Sequence, residues 1–539
     1  MDALQAQTQK SRLGFVVAGL LLGIFMASMD NTIVATAMGT IVADLNGFDK
    51  FVWVTSAYMV TEMAGMPIFG KLSDMYGRKR FFIFGLAVFS LGSVLCGTAG
   101  SIVQLSVYRA IQGIGAGALV PIAFTIMFDV FPVEQRGKMG GLFGAVFGLS
   151  SIFGPLFGAF ITDHAGWEWV FYVNVPAGLI ALFLIAFFYK ESQTHTRQNI
   201  DWRGAATFAG AVVCLMFALE LGGEQYAWNS PVILGLFAGF TVLLAVFLYA
   251  ETKADEPIIS FRMFRNRLFA ASSLTALFSG ASFIAAAVYI PIFVQGVLGG
   301  TATHSGLVLL PMMLGTTVSA QAGAILSTKL GYRNVLIGFG LLFLTGMYLL
   351  GTLDTGSSRL AVTVFMIVSG IGIGASFSVI GMSAIHYFDA SQRGAASSTV
   401  AFLRSLGMTV GITVFGVIQR NDFLGRLSQT LTGSGFAAND VPEPRQLLLP
   451  ETRQHIPGQV LDKITEALSG SITDIFMWAL IPSALMLFSV LFMGGERPAT
   501  ASGQHAAHAA GQRATEQRAA GQHTTGNMQN LPEGRRIRQ

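Results

Sequence analysis

The chain has 539 residues, of which 53% are hydrophobic and 12% charged, with a mean hydropathy of +0.60 and a formal net charge of +4. Soluble domains carry about 25% charged residues, and one soluble core stops growing beyond about 250–300 residues, so this composition excludes an ordinary water-soluble fold. A polytopic all-α membrane protein is left, and the 63 glycines agree, because glycine lets membrane helices approach closely.

In chain order, a polar leader over 1–12 precedes apolar runs at 14–38, 52–70, 81–100, 104–128, 138–162, 168–189, 203–222, 231–250, 268–298, 305–328, 334–352, 360–386, 394–418 and 472–494. These are fourteen expected spans, each near or above the roughly 20 residues that cross about 30 Å of hydrocarbon. The segment 419–471, with Pro442, Pro444, Pro450 and Pro457, reads as a long polar outer loop with a short helix near 459–468. Residues 496–539 are rich in Ala, Gly, Gln, His and Arg without periodicity, which predicts a disordered tail. Cys96 and Cys214 both lie in apolar runs, so no disulfide framework is expected. With the N-terminus placed inside, 24 of the 33 Lys and Arg fall on the inner side, and the short outer loops hold only Lys50 and Arg359. The positive-inside rule therefore predicts cytoplasmic N- and C-termini in a multi-pass protein of the inner or plasma membrane. The net positive charge is orientation charge, and no nucleic-acid partner is expected.

Between the second and third runs stands a charged turn over 70–80. It holds Gly70, Lys71, Asp74, Gly77, Arg78, Lys79 and Arg80. The glycines let the backbone turn and let helix ends pack closely. Asp74 is placed to pair with Arg78, or with Arg136 of the next inner loop, as a latch between helix ends. The plainer alternative is charge that fixes topology by tethering the turn to lipid headgroups.

An internal repeat organises the rest. Gln112-Gly113-Ile114-Gly115-Ala116-Gly117 resembles Ser369-Gly370-Ile371-Gly372-Ile373-Gly374, displaced by 257 positions. Gln135-Arg136-Gly137 recurs as Gln392-Arg393-Gly394, and Gly154 as Gly411, at the same displacement. The charged turn has a faded copy at 326–331, displaced by 254, with Thr328 where Asp74 stands. The expected organisation is an N-terminal six-helix half (1–190), a linker with two inserted helices (191–261), a C-terminal six-helix half (262–495) and the tail.

Ionisable residues inside spans are few, and such residues are functional candidates by default. Asp30 and Arg109 fall in the outer halves of the first and fourth spans, about 6 Å and 10 Å beyond the midplane at 1.5 Å per residue, so they can meet. Glu62 sits near the middle of the second span. A carboxylate that alternates between water and a buried cation switches between protonated and ionised forms, which is what proton coupling requires; a static ion pair that fixes packing is the alternative. Glu62 has a second possible task, pairing with a cationic substrate. Arg404 has no acid in its own span; facing a substrate cavity and snorkelling to the interface are its two readings. His304 and His386 lie near span ends and read as loop histidines. Gly148, Gly154, Pro155 and Gly158 of the fifth span predict close helix packing around a proline bend.

These residues together resemble the major facilitator superfamily over about 14–495. Gly70, Leu72, Asp74, Gly77, Arg78 and Lys79 fit its signature inner loop. Arg109, Gln112, Gly113 and Gly115 are similar to its second motif. The run 148–159 resembles its antiporter motif, with Ala159 in place of the final glycine. Met29-Asp30-Asn31-Thr32 and the run 167–176 resemble the 14-helix drug:proton antiporter branch, in which a basic residue usually stands where Glu168 is. The resemblance implies a major facilitator fold. It favours the latch at Gly70, Asp74, Gly77, Arg78, Lys79 and Arg136; the candidates for proton coupling, Asp30, Arg109 and Glu62, and for substrate contact, Glu62 and Arg404, rest on their place inside the spans.

The expected function is a proton-coupled antiporter that exports amphipathic compounds, cationic drugs among them, by alternating access. It is expected to act as a monomer with no cofactor. Export of one endogenous metabolite or lipid stays open. Nutrient uptake is less favoured, and so is a membrane-embedded enzyme, because no nucleophile, metal or phosphate-loop motif occurs.

Overall fold

The computed structural model describes residues 2–45, 52–131, 133–191, 200–223, 225–254, 256–299, 302–431 and 458–498. In chain order the helices are α1 (Asp2–Asp44), α2 (Val52–Tyr76), α3 (Arg78–Gly97), α4 (Ile102–Val130), α5 (Val133–Ala165), α6 (Trp169–Tyr172) and α7 (Asn174–Phe188). There follow α8 (Trp202–Leu221), α9 (Pro231–Lys253), α10 (Phe261–Phe264), α11 (Arg267–Gly296), α12 (Ala302–Leu330), α13 (Tyr332–Leu350) and α14 (Arg359–Ala384). The last are α15 (Arg393–Leu431), α16 (Gly458–Trp478) and α17 (Leu480–Leu491). The protein is thus an all-α polytopic membrane protein. Among the described residues, twelve spans qualify as membrane-crossing by length and composition, with α6–α7 and α16–α17 each forming one. α2 falls short of that composition and α5 is only partly described, but both match the remaining two expected spans in position and length.

Local chemistry sets many of the helix ends. Ser101, Ser230, Asn266 and Ser358 accept first-turn N–H groups and cap α4, α9, α11 and α14. Gly77 and Gly331, at φ 112° and 84°, close the α2–α3 and α12–α13 turns in a left-handed conformation that side chains resist.

One expectation needs correction. Residues 419–431 are helix, not loop, because α15 continues through Leu431, while the short helix expected near 459–468 is present and longer, α16 starting at Gly458 and running on into the last span. Their polar residues keep helical spacing: Arg426 pairs with Asp422 one turn away at 2.8 Å and with Asp474 of α16 at 2.5 Å. The middle of that segment, 432–457, and the tail from 499 lie outside the described residues.

The sequence repeat recurs as repeated backbone contacts. A methyl group on Gly113 would strike the Tyr58 carbonyl of α2, and one on Gly370 would strike the Met312 carbonyl of α12. Gly115 is held against the Phe89 backbone as Gly372 is against Phe343, and Gly117 against Glu62 as Gly374 is against Thr316. Gly154 of α5 meets Thr32 of α1, and Gly411 of α15 meets Ala281 of α11. The two sets of helices are packed alike, α2 on α4 as α12 on α14, and they touch each other along α2–α15 and α5–α12. α8 packs on α9 and α2, while α9 buries only Ile233, Phe247 and Glu251.

Candidate functional site

The deepest polar cluster is built around Asp30. α1 delivers this carboxylate, 0% exposed, among Met29, Ile33 and Val34. α4 delivers Arg109, 1% exposed, which forms an ion pair with Asp30 Oδ2. Gln112 lies one turn along the same face of α4. It accepts from Arg109 at 2.8 Å and donates to Asp30 Oδ1 at 2.8 Å. Asn174, the first residue of α7, donates to the same Oδ1 at 2.9 Å. Ser93 of α3 accepts from Asn174 at 3.2 Å and from Gln112 at 3.3 Å, and donates to the Phe171 carbonyl at 2.8 Å. Its closeness depends on Gly92, where a methyl group would lie 2.6 Å from the Gln112 Cα. Arg109 donates Nε–H to the Val54 carbonyl at 3.3 Å, and its guanidinium lies over the Tyr58 ring, 4.1 Å from the centroid.

This arrangement satisfies both charges. Three donors hold the carboxylate, and the cation has a carbonyl, an amide oxygen and a ring face besides its counterion. Sequence reasoning foresaw the Asp30–Arg109 meeting. It quoted Gln112 and Asn174 within motifs without placing them on the carboxylate, and it missed Tyr58 and Ser93. Gln112 had a usable signal, its i+3 spacing from Arg109.

Glu62 makes no hydrogen bond into this cluster among the described residues, though it lies within electrostatic reach of Arg109 and Asp30. It stands one turn from Tyr58 on α2, half-buried, and forms no hydrogen bond or ion pair among the described residues. Arg404 on α15 is also half-buried. It donates to the Ser376 carbonyl at 3.1 Å and lies over Phe377 at 4.5 Å, while its Nε is buried without a partner.

The charged turn forms a second cluster at one end of the bundle, here called the basic end. Asp74 accepts from Arg78 at 3.0 Å, and Arg78 forms an ion pair with Asp129 at the end of α4. Asp74 also accepts backbone N–H groups from Gly394 at 3.0 Å and Ala395 at 2.9 Å, in the first turn of α15. Arg393 reaches Asp129 at 3.4 Å. Gly70 lies against Ser398, with the Gly394 carbonyl 2.8 Å from where its Cβ would stand. The backbone N–H of Arg78 donates to Glu191 at 2.6 Å. Lys79 lies apart from Asp74 and donates to the Ala186 carbonyl at 2.7 Å. The Arg136 side chain lies outside the described residues. Asp129, Glu191 and the α15 first turn were not anticipated.

The equivalent corner of the second set of helices has different chemistry. Tyr332 and His386 stand where the repeat places Arg78 and Asp129, and they bond at 3.1 Å. Gly154 and Gly158 of α5 lie flush on Thr32, Ile33 and Thr36 of α1, and Pro155 sits within the helix. Gly148 lies on the same helix.

A closed bundle of long apolar helices, built twice over and enclosing an internal ion pair, is the build of a membrane transporter. Residues 20–412 match the model of the Major Facilitator Superfamily, and the chain belongs to that family. It is 53% identical over 505 residues to multidrug resistance protein 3 of Bacillus subtilis (strain 168), covering 93% of this chain and 98% of that protein. It is 35% identical over 506 residues to the multidrug transporter protein MdtP of the same organism, covering 90% and 94%. Among solved structures, the human organic anion transporter MFSD10 (TETRAN) superposes with a TM-score of 0.57 at 16% identity, covering 88% of this chain and 99% of that one. The proton:xylose symporter XylE does so with 0.57 at 14%, covering 91% and 98%. At these identities the two structures speak for the fold alone. The chain is a transport protein for small molecules, not an enzyme.

Proposed function

We propose that the protein is a proton-coupled antiporter that exports amphipathic compounds, cationic drugs among them, by alternating access. The observation that carries this reading is the buried carboxylate of Asp30, ion-paired with Arg109 and held by Gln112 and Asn174. The full-length similarity to two proteins named for multidrug transport supports the choice of cargo. Asp30 is the proton carrier in this reading. Protonation removes its attraction for Arg109 and releases the guanidinium to Tyr58 and the Val54 carbonyl, so the charge state sets how α1 and α4 are held together. Glu62, one turn from Tyr58 and within electrostatic reach of Arg109, assists coupling or faces the positive charge of a substrate.

The basic end faces the cytoplasm in this reading, with both termini inside the cell membrane. The latch of Gly70, Asp74, Gly77 and Arg78 on α15 keeps that end closed until transport opens it, with Lys79 and Arg136 as its expected basic members. The halves 1–190 and 262–495 rock against each other, α8 and α9 stand between them, and the monomer is the working unit. Gly148, Gly154, Pro155 and Gly158 seal α5 to α1 against leaks.

Transport of an ethidium-like dye into inverted vesicles under an imposed pH gradient tests this, wild type against Asp30→Asn. Gradient-driven transport is expected to vanish in the variant. Full transport by Asp30→Asn ends the coupling assignment. Failure of the wild type to move any such dye replaces drug export with export of a specific metabolite or lipid.

A further inference from the structure

Arg404 is a cation inside a transmembrane helix with no carboxylate within ion-pair distance among the described residues. A guanidinium has five N–H donors in one plane. One hydrogen bond goes to the Ser376 carbonyl, and the flat face rests on Phe377, whose ring packs edge-on against Phe283 of α11 at 5.6 Å. The Nε edge is buried and empty of partners. Leaving a charged donor unsatisfied in a low-dielectric interior is costly, and no scaffold role offsets it here. The repeat makes that last point: the mate of Arg404 is Phe147, so the shared framework of the two halves does not need a cation there.

Glu62 is the complementary case. Its repeat mate is the neutral Thr316, and among the described residues it forms no hydrogen bond or ion pair, Arg109 acting on it only from a distance. The helices carrying the two charges are packed on each other, Thr409 of α15 reaching the Met63 sulfur of α2 at 3.7 Å, but Glu62 and Arg404 form no ion pair. Among the described residues the bundle therefore holds a carboxyl and a guanidinium outside any ion pair, on adjoining helices, with a pair of aromatic rings beside the guanidinium.

We propose that Arg404, on its Phe283–Phe377 platform, is an anion subsite. It receives the carboxylate of an aromatic substrate in its open N–H fork while Glu62 faces the substrate's cationic end. The preferred cargo is then zwitterionic, not simply cationic. Planar, two-point donation to a carboxylate is what a guanidinium does and an ammonium does not. This rests on the export reading above and narrows its substrate class.

The test uses two dyes that differ by one methyl ester: rhodamine 110, a zwitterion with a free carboxylate, and rhodamine 123, its cationic methyl ester. Binding to the purified full-length protein is followed by fluorescence polarisation. Arg404→Gln is expected to weaken rhodamine 110 about tenfold, the worth of one charge-assisted hydrogen bond, and to leave rhodamine 123 within about twofold. Glu62→Gln is expected to weaken both. If Arg404→Gln does not fold, Arg404→Lys carries the test, with the preference for acid over ester narrowed and not lost. An Arg404 variant that changes both dyes equally, or neither, overturns the subsite, as does a wild type that does not bind rhodamine 110. The export reading fails separately, if rhodamine 110 binds in an Arg404-dependent way but neither dye is moved by a pH gradient in proteoliposomes.

Discussion

Gly394 donates its backbone N–H to the Asp74 carboxylate at 3.0 Å, across 320 residues of chain. Ala395 adds a second donor at 2.9 Å, so an anion from α2 occupies the buried first turn of α15. Helix N-termini leave such N–H groups unsatisfied and favour negative charge, by about 0.3–1 kcal/mol when exposed and up to about 2 kcal/mol when partly buried. Asp74→Asn keeps an acceptor oxygen but loses the charge. It is expected to slow transport several-fold and to raise labelling of Met75→Cys, which is buried at the basic end. Thr328, at the equivalent position, returns its hydroxyl to Ile325 of its own helix at 2.7 Å. Thr328→Ala is expected to leave transport and labelling unchanged. Equal behaviour of the two variants would sink the unequal latch.

Steric contact makes a sharper claim about the same interface. A Cβ at Gly70 would overlap the Ser398 hydroxyl and crowd the Gly394 carbonyl. Gly70→Val therefore wedges α2 from α15. The expected result is greater Met75→Cys labelling than in Asp74→Asn, with wild-type expression. Gly338→Val is the control, because nothing lies within 4 Å of its Cβ position. If the control opens the basic end as far, the effect is not local.

The central ion pair predicts a pattern of stability. Arg109→Gln leaves the Asp30 carboxylate with amide donors only, in a site that excludes water. Breaking a buried pair from one side costs roughly 3–5 kcal/mol. Asp30→Asn combined with Arg109→Gln removes both charges, and it is expected to recover most of that loss. Thermal unfolding in detergent at neutral pH measures both. A double variant no more stable than Arg109→Gln would show that Asp30 is not the group stranded by the single change.

How much of this was legible in the sequence depends on what carries each contact. The apolar runs show the spans, and counting depth along them brings Asp30 to Arg109. Gln112 needed only its spacing from Arg109. Hydropathy failed at 419–431, because a helix that leaves the hydrocarbon keeps its hydrogen bonds while its side chains turn polar. The partners of Asp74 were out of reach for a different reason: they are backbone N–H groups of Gly394 and Ala395, which any residue but proline presents. Asn174 was hidden because it stands 144 residues from Asp30 on another span, with no sequence spacing to link the two.

The second set of helices carries its own corner contact, and it titrates. Tyr332 meets His386 Nδ1 at 3.1 Å where the first set has the Arg78–Asp129 ion pair. Burial pushes the His386 imidazole below its ordinary value of 6.5, and Glu496 opposes the shift. Tyr387 lies beside the imidazole, in edge-on ring contact, and bonds to Glu496. A folded value below the free one means that the closed corner prefers the neutral ring. Its contribution is complete above the ordinary histidine range. As pH falls, the released imidazole takes up a proton first, and the contribution is lost down to the lowered value of the folded state. Acid is therefore expected to loosen this corner. The measurement is thermal unfolding of wild type and His386→Gln between pH 8 and 5. Other carboxylates titrate in both proteins, so the difference between the two curves is the readout. That difference is expected to shrink as pH drops through the histidine range, and parallel curves would show that His386 does not sense it.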